Sequence, residues 1–237
     1  MNKILVIVAS NNKNSETKEF ASEVVENIKV LDSDFICEIV HLADYNIYEC
    51  IGCKNCFING FCKITKDDVN IIINKIYFYD IIIWACPSYL DNVPGCFKKL
   101  LDRIAHFSHT MNFAGKLGFV IITTSNSGSE EIKRYLFKIF PYMGFKMLDC
   151  YTFIKYKCEN EKKYCYNVAI SIINRIKMNY GLSNIILENI FNNYKMRFFK
   201  KGKENDYGFY EINYWNQNFI RQSKSFQEFS HVIKNYI

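Results

Sequence analysis

Four of the chain's ten cysteines fall within thirteen residues, "CIGCKNCFINGFC", as Cys50, Cys53, Cys56 and Cys62. The spacing is C-x2-C-x2-C-x5-C. Closely spaced thiolates on a compact loop can wrap several corners of an iron–sulfur cubane, and Cys62 could close the fourth. Gly52 and Gly60 would supply tight backbone turns. Cysteine-only zinc sites usually pair two separated C-x2-C knuckles. Disulfides within so short a loop require favourable geometry and an oxidising compartment. Three readings stand at this point: a [4Fe–4S] cluster, thiols without metal, or zinc. The other six cysteines, Cys37, Cys86, Cys96, Cys150, Cys158 and Cys165, lie in strand-like and helix-like segments and read as core packing.

A second concentration of polar chemistry is "ASNNKNSET", Ala9–Thr17. It follows an apolar run and opens a helical pattern. It has neither the G-x-G-x-x-G of dinucleotide folds nor the G-K-[ST] of a Walker loop. Hydroxyls, amides and helix N–H groups together suit a phosphate; a plain capped helix start is the other reading. Two further loops are rich in turn and polar residues: "CPSYLDNVPGCFKKLLDR" (Cys86–Arg103) and "TTSNSGSEE" (Thr123–Glu131).

Positioning these loops requires a scaffold. Continuous apolar runs of the kind found in buried parallel strands occur at Ile4–Ala9, Asp80–Pro87 and Lys116–Thr124. Weaker ones occur at Phe35–Leu42 and Lys146–Tyr156. Helical spacing occupies the intervals, at Phe20–Ile28, Val69–Ile76, Val93–Ala105, Glu130–Met143 and Tyr164–Tyr180. The alternation predicts an α/β, doubly wound parallel sheet. In such a sheet, loops at the carboxyl ends of strands one, three and four meet at one ligand. From about Gly181 the pattern changes to an aromatic-rich segment, interrupted by the basic, turn-like "MRFFKKGKEND". The expected organisation is therefore a domain over 1–180, with the cysteine loop at 50–62, and an extension over 181–237 that packs on the domain or on a partner subunit.

The net charge of +6 on 237 residues does not by itself indicate nucleic acid or membrane binding. Lys195, Arg197, Lys200, Lys201 and Lys203, beside Phe198 and Phe199, have the ingredients of a nucleic-acid surface, but the expected reading is a solvated basic turn with inward aromatics. No signal peptide and no spanning segment are evident, so a cytoplasmic location is expected, where thiols stay reduced. His41, His106, His109 and His231 are expected in structural or surface roles.

The motifs "SNNKNSET", "CIGCKNCFINGFCKITKDDV" and "CPSYLDNVPGCFKKLLDR", in that order, resemble the flavodoxin-like NAD(P)H-dependent FMN reductases, and among them the iron–sulfur flavoproteins. The resemblance covers roughly residues 1–180. It implies a flavodoxin-like, five-stranded sheet of order 2-1-3-4-5 with FMN across the switch point. It implies that Ser10, Asn12, Asn14, Ser15 and Thr17 hold the FMN phosphate. Pro87, Ser88, Tyr89, Leu90, Asp91 and Asn92 would border the flavin ring, and Thr124, Ser125, Asn126, Ser127 and Gly128 would close its other edge. Cys50, Cys53, Cys56 and Cys62 would hold the cluster. There are departures: Asn11-Asn12 replaces Pro-Arg, removing a positive charge near the phosphate, and the loop after strand four lacks paired glycines. The implied activity is an FMN oxidoreductase drawing electrons from NAD(P)H or a redox protein, in which FMN carries the chemistry. The alternatives are an FMN-only NAD(P)H:quinone or FMN reductase and a non-enzymatic flavodoxin-like carrier. Family members are commonly oligomeric, which implies a homodimer or homotetramer.

Overall fold

A computed structural model describes residues 2–179, 181–200 and 209–236. Five parallel strands form one sheet in the order β2-β1-β3-β4-β5: β1 Lys3–Val8, β2 Ile36–His41, β3 Ile81–Pro87, β4 Leu117–Thr124 and β5 Lys146–Ile154. This is the expected flavodoxin-like architecture. The central strands β1, β3 and β4 are buried on both faces, which is why their sequences are apolar without alternation. Helices α1 (Glu16–Leu31) and α6 (Glu161–Lys177) cover one face, burying Phe20, Val24, Ile28, Ala169 and Ile172 against it. Helices α3 (Val69–Phe78), α4 (Gly95–Arg103) and α5 (Ser129–Ile139) cover the other face, around Trp84, Phe97, Phe140 and Phe145.

Several boundaries differ from the periodicity. The fourth helix begins at Gly95, since Pro94 favours extended backbone before it. The fifth stops at Ile139, ahead of Pro141. The last strand ends at Ile154 and a short 3₁₀ turn takes Lys155–Lys157. The sixth helix begins three residues early, at Glu161, where the Asn160 side chain caps Lys163 N at 2.9 Å. Tyr180, its expected end, lies outside the described residues. A five-residue helix, α2 (Asn55–Asn59), lies inside the cysteine loop and is too short to show a period.

The C-terminal extension is helical: α7 (Ile185–Lys200), α8 (Phe209–Trp215), α9 (Asn218–Gln222) and α10 (Phe226–Tyr236). Its aromatics form a third apolar cluster, with Met111 and Ala114 of the sheet domain among its members. Trp215 is fully buried, stacked on Phe198 and Phe229 at 5.8 and 5.9 Å. Residues Met196–Lys200 complete α7 rather than forming a turn, because Phe198 on the same helix is drawn into this cluster. Lys195 Nζ donates to the Arg221 and Ser223 carbonyls at 3.3 and 2.5 Å. Lys201 and Lys203 lie outside the described residues. Among the described residues, no helix is long and apolar enough to cross a membrane.

Candidate functional site

The parallel register brings the carboxyl ends of β1, β3 and β4 together, with Val8 opposite Ala85 and Pro87 opposite Thr123. Ala9 N donates to Ala85 O at 2.7 Å and Ser88 N to Thr123 O at 2.9 Å, so the sheet pairing continues into the loops. Between them lies a groove of about 200 Å³ lined by Asn12, Ser15, Glu16, Thr17, Pro87, Ser88, Tyr89, Thr123, Thr124 and Ser125. It brings together residues from all three expected loops.

Local chemistry shapes each wall. Ser15 caps α1, its Oγ accepting from Lys18 N at 3.2 Å, so the helix start is both capped and open to the groove. Ser10, buried, accepts from Asn12 N, and Asn12 Oδ1 accepts from Asn14 N at 3.0 Å, which curls the loop. Thr17 and Thr123 share a buried hydroxyl–hydroxyl bond of 2.5 Å that ties α1 to β4. Glu16 and Thr123 were missing from the expected set, although both lie inside the quoted loop segments. Glu16 pairs with Lys155 at 2.8 Å.

Ser10, Asn14, Leu90, Asp91, Asn92, Asn126, Ser127 and Gly128 do not line this groove. Tyr89–Asn92 form a tight turn with reciprocal backbone bonds of 3.0 and 3.1 Å, and its central residues Leu90 and Asp91 have φ of 50° and 56°. A left-handed leucine costs about 1–2 kcal/mol, and the Leu90 side chain is fully exposed. The turn is held from the neighbouring loop: Ser127 Oγ donates to Asp91 Oδ1 at 2.8 Å. Thr124 Oγ1 in turn donates to Ser127 O at 2.6 Å and accepts from Asn126 N at 3.2 Å. Gly128, with φ 90°, lets the two loops touch, since a Cβ there would stand 2.8 Å from Asp91 Cα. These residues build the rim rather than the wall.

The cysteine loop leaves the same sheet edge, after β2. Cys50, Cys53, Cys56 and Cys62 line one cavity of about 300 Å³, together with Phe57, Ile64, Arg103 and His106 among others. Gly52, Lys54 and Gly60 all have positive φ, which winds the chain around this cavity. Asn55, buried, donates to Phe61 O at 2.6 Å and closes the loop on itself. Burial and the neighbouring Cys62 and Cys50 thiols push the Cys56 thiol up.

Arg103, at the end of α4, was expected only as part of a motif. It is 2 % exposed and donates to Tyr48 O at 3.0 Å, Ile64 O at 2.8 Å and both oxygens of Asp67. Asp67 also accepts from Tyr48 N at 2.9 Å. Burial opposes the Asp67 carboxylate, but Arg103 and Tyr48 outweigh it and hold its pKa below the ordinary value. Arg103 and Cys62 line the same cavity. Burial pushes His106 down to about 4, so it is neutral near pH 7.

Two buried nitrogens on residues lining this cavity, Arg103 Nε and His106 Nδ1, have no hydrogen-bond partner. A polar cavity occupant would meet that need. Among the described residues, no three His, Cys, Asp or Glu side chains are gathered so as to hold a metal ion. Thiols spread around a volume fit a cluster, whose corners are separate, better than the single point of a zinc site.

The extension covers one side of this loop. The Tyr210 ring packs on Gly60, where a Cβ would lie 2.8 Å from Tyr210 Cζ. His109 Nδ1 lies 2.6 Å from Oε1 of the buried Glu211, and the His109 ring is 4.9 Å from that of Phe57. Trp215 Nε1 donates to His109 O at 2.8 Å. Cys86 is buried in the core, with its thiol pushed far up by burial. His41 is buried, and the exposed His231 bonds Gln227 at 2.8 Å.

A flavodoxin-like sheet with a polar groove at its switch point has its groove where such sheets bind ligands. Residues 2–157 match the model of the NADPH-dependent FMN reductases, and the chain belongs to that family. Within it the chain stands with the iron–sulfur flavoproteins. It is 40% identical over 102 residues to an iron–sulfur flavoprotein of Archaeoglobus fulgidus, covering 43% of this chain and 48% of that one. It is 34% identical over 130 residues to an iron–sulfur flavoprotein of Clostridioides difficile, covering 54% and 57%. The chain thus spans about half the length of the curated relatives it matches. The crystal structure of RosB shares the fold, with a TM-score of 0.62 at 11% identity over 94% of this chain and 96% of that one.

Proposed function

We propose that the chain is an FMN-dependent oxidoreductase that receives electrons from NAD(P)H or a reduced redox protein and passes them on through a [4Fe–4S] cluster. The observation that carries this reading is that one chain holds two such sites: the hydroxyl- and amide-lined groove at the carboxyl ends of β1, β3 and β4, and the cavity that four thiols line in the loop after β2. Asn12, Ser15 and Thr17, with Ser10 and Asn14 shaping their loop, would hold the FMN phosphate at the start of α1. Pro87, Ser88 and Tyr89 would border the ring, with Leu90, Asp91 and Asn92 at the rim. Thr124 and Ser125 would close the other edge, braced by Asn126, Ser127 and Gly128. Cys50, Cys53, Cys56 and Cys62 would be the cluster ligands. FMN, when bound, exchanges electrons in ones or twos, and the protein positions it and tunes its potential by hydrogen bonds. The FMN-binding unit is taken as 1–180. The extension over 181–237 steadies the cysteine loop in a cytoplasmic homodimer or homotetramer.

The absence of a gathered metal-holding group among the described residues favours a second reading, an FMN-only reductase whose cysteines are thiols. Anaerobic purification followed by a visible spectrum, with iron and acid-labile sulfide assays, separates the two. Flavin bands with about four irons and four sulfides per chain, and oxidation of NADH or NADPH, are expected. Flavin without iron selects the second reading. A chain that takes up no FMN refutes both.

A further inference from the structure

Arg103, from the end of α4, ties down the loop that carries the four thiols. We infer that Arg103 is the positioning residue of the cysteine loop: it pins both ends of the loop and stands on the same cavity wall as Cys62, so it governs retention of the fourth corner and the potential of the cluster. This rests on the cluster reading above.

The geometry is specific. Tyr48 precedes the first cysteine and Ile64 and Asp67 follow the last, and Arg103 reaches all three. A planar guanidinium can serve several acceptors from one fixed fork, which a lysine ammonium cannot. The Asp67 carboxylate lies between the two ends, accepting from the Arg103 guanidinium and from Tyr48 N. Asn46 N and Asp68 Oδ2, 2.7 Å apart, and Asp68 N and Asn46 O, 2.9 Å apart, add a second tie at the same neck. Closing the neck limits how far Cys50 and Cys62 can separate, whatever the loop between them does.

Charge supplies the second role. Arg103 is the buried cation of the cavity wall; Lys54 is exposed and His106 is neutral. Its unpartnered Nε lies on that same wall, which Cys62 also lines. Hydrogen bonds to cluster sulfurs and nearby positive charge favour the reduced, more negative state and raise the reduction potential. Removal of Arg103 should therefore lower the potential or release the corner held by Cys62.

Removing the guanidinium alone would strand a buried carboxylate, so the main variant is Arg103→Gln with Asp67→Asn, which keeps a neutral hydrogen-bonding pair. The full chain is purified anaerobically and assayed for iron, sulfide, bound flavin, circular dichroism and the midpoint potential of the cluster. The expected result is a folded, flavin-binding protein that loses iron or whose cluster potential moves negative by at least 59 mV, a tenfold change in a one-electron equilibrium. Arg103→Lys, which keeps the charge without the fork, should fall between that variant and the wild type. If the double variant does not fold, Arg103→Lys decides alone. Full iron at the wild-type potential in a folded variant overturns the inference while leaving the cluster reading intact. A wild-type chain without iron and sulfide defeats the cluster reading, and this inference with it.

Discussion

Gly128→Ala tests whether the loops after β3 and β4 form the proposed flavin site. Gly128 has φ 90°, and an added Cβ would lie 2.8 Å from Asp91 Cα, against the turn that carries Leu90. Two costs follow. A left-handed alanine costs about 1–2 kcal/mol, and it falls on the free and flavin-bound states alike. Overpacking costs about 1–3 kcal/mol; it is relieved when the loops part and returns when a ligand draws them together. The first cost should appear as lost stability, about 1–2 kcal/mol by urea unfolding of the flavin-free protein. The second should appear in binding, as an FMN dissociation constant raised about 5–150-fold. Titration of flavin fluorescence into flavin-stripped protein measures it. A dissociation constant within about twofold of wild type, accompanied by the stability loss, would refute the placement of these loops around the flavin.

Two further tests concern the scaffold. Trp215→Ala removes the ring stacked between Phe198 and Phe229 and the donor to His109 O. It should cost about 3–5 kcal/mol and speed alkylation of the cysteine loop, and unchanged urea unfolding would contradict the packing described. Burial raises the Cys37 thiol to about 11 and Cys150 and Cys165 to about 12, from 9.0. Above about pH 9 these thiols ionise in the unfolded chain but keep their protons in the folded one, so their contribution is complete below pH 9 and declines as pH rises toward 11–12. The decline is up to about 1.4 kcal/mol per pH unit for each thiol. Urea unfolding between about pH 9 and 11 should show a shallower decline in Cys150→Ala, and equal slopes would count against a raised pKa for this half-buried thiol.

The sheet was legible because its central strands are buried on both faces: "ILVIVA" and "IIIWAC" leave little else for the chain to do. Three of the loops that line the groove could be found for the same reason, being the polar stretches that end those runs. Distant partners left no such trace. Arg103 finds Asp67 across 36 positions and His109 finds Glu211 across 102, and no local period connects them. The short helices α2 and α8 were invisible because five and seven residues do not display an amphipathic repeat. The aromatic richness of the tail did signal a folded extension, but where it docks depends on Gly60 and His109, residues whose accessibility only the assembled chain reveals.

The packing of Tyr210 on the cysteine loop also has a consequence in time. Synthesis runs from the amino terminus, and roughly 150 residues separate the last cysteine from the helix that covers it, a delay on the order of ten to thirty seconds at ordinary elongation rates. For most of that interval the loop is outside the ribosome without the Tyr210 ring against Gly60. The ties of the loop to Asp67 and Arg103 can therefore form before α8 exists to pack on it.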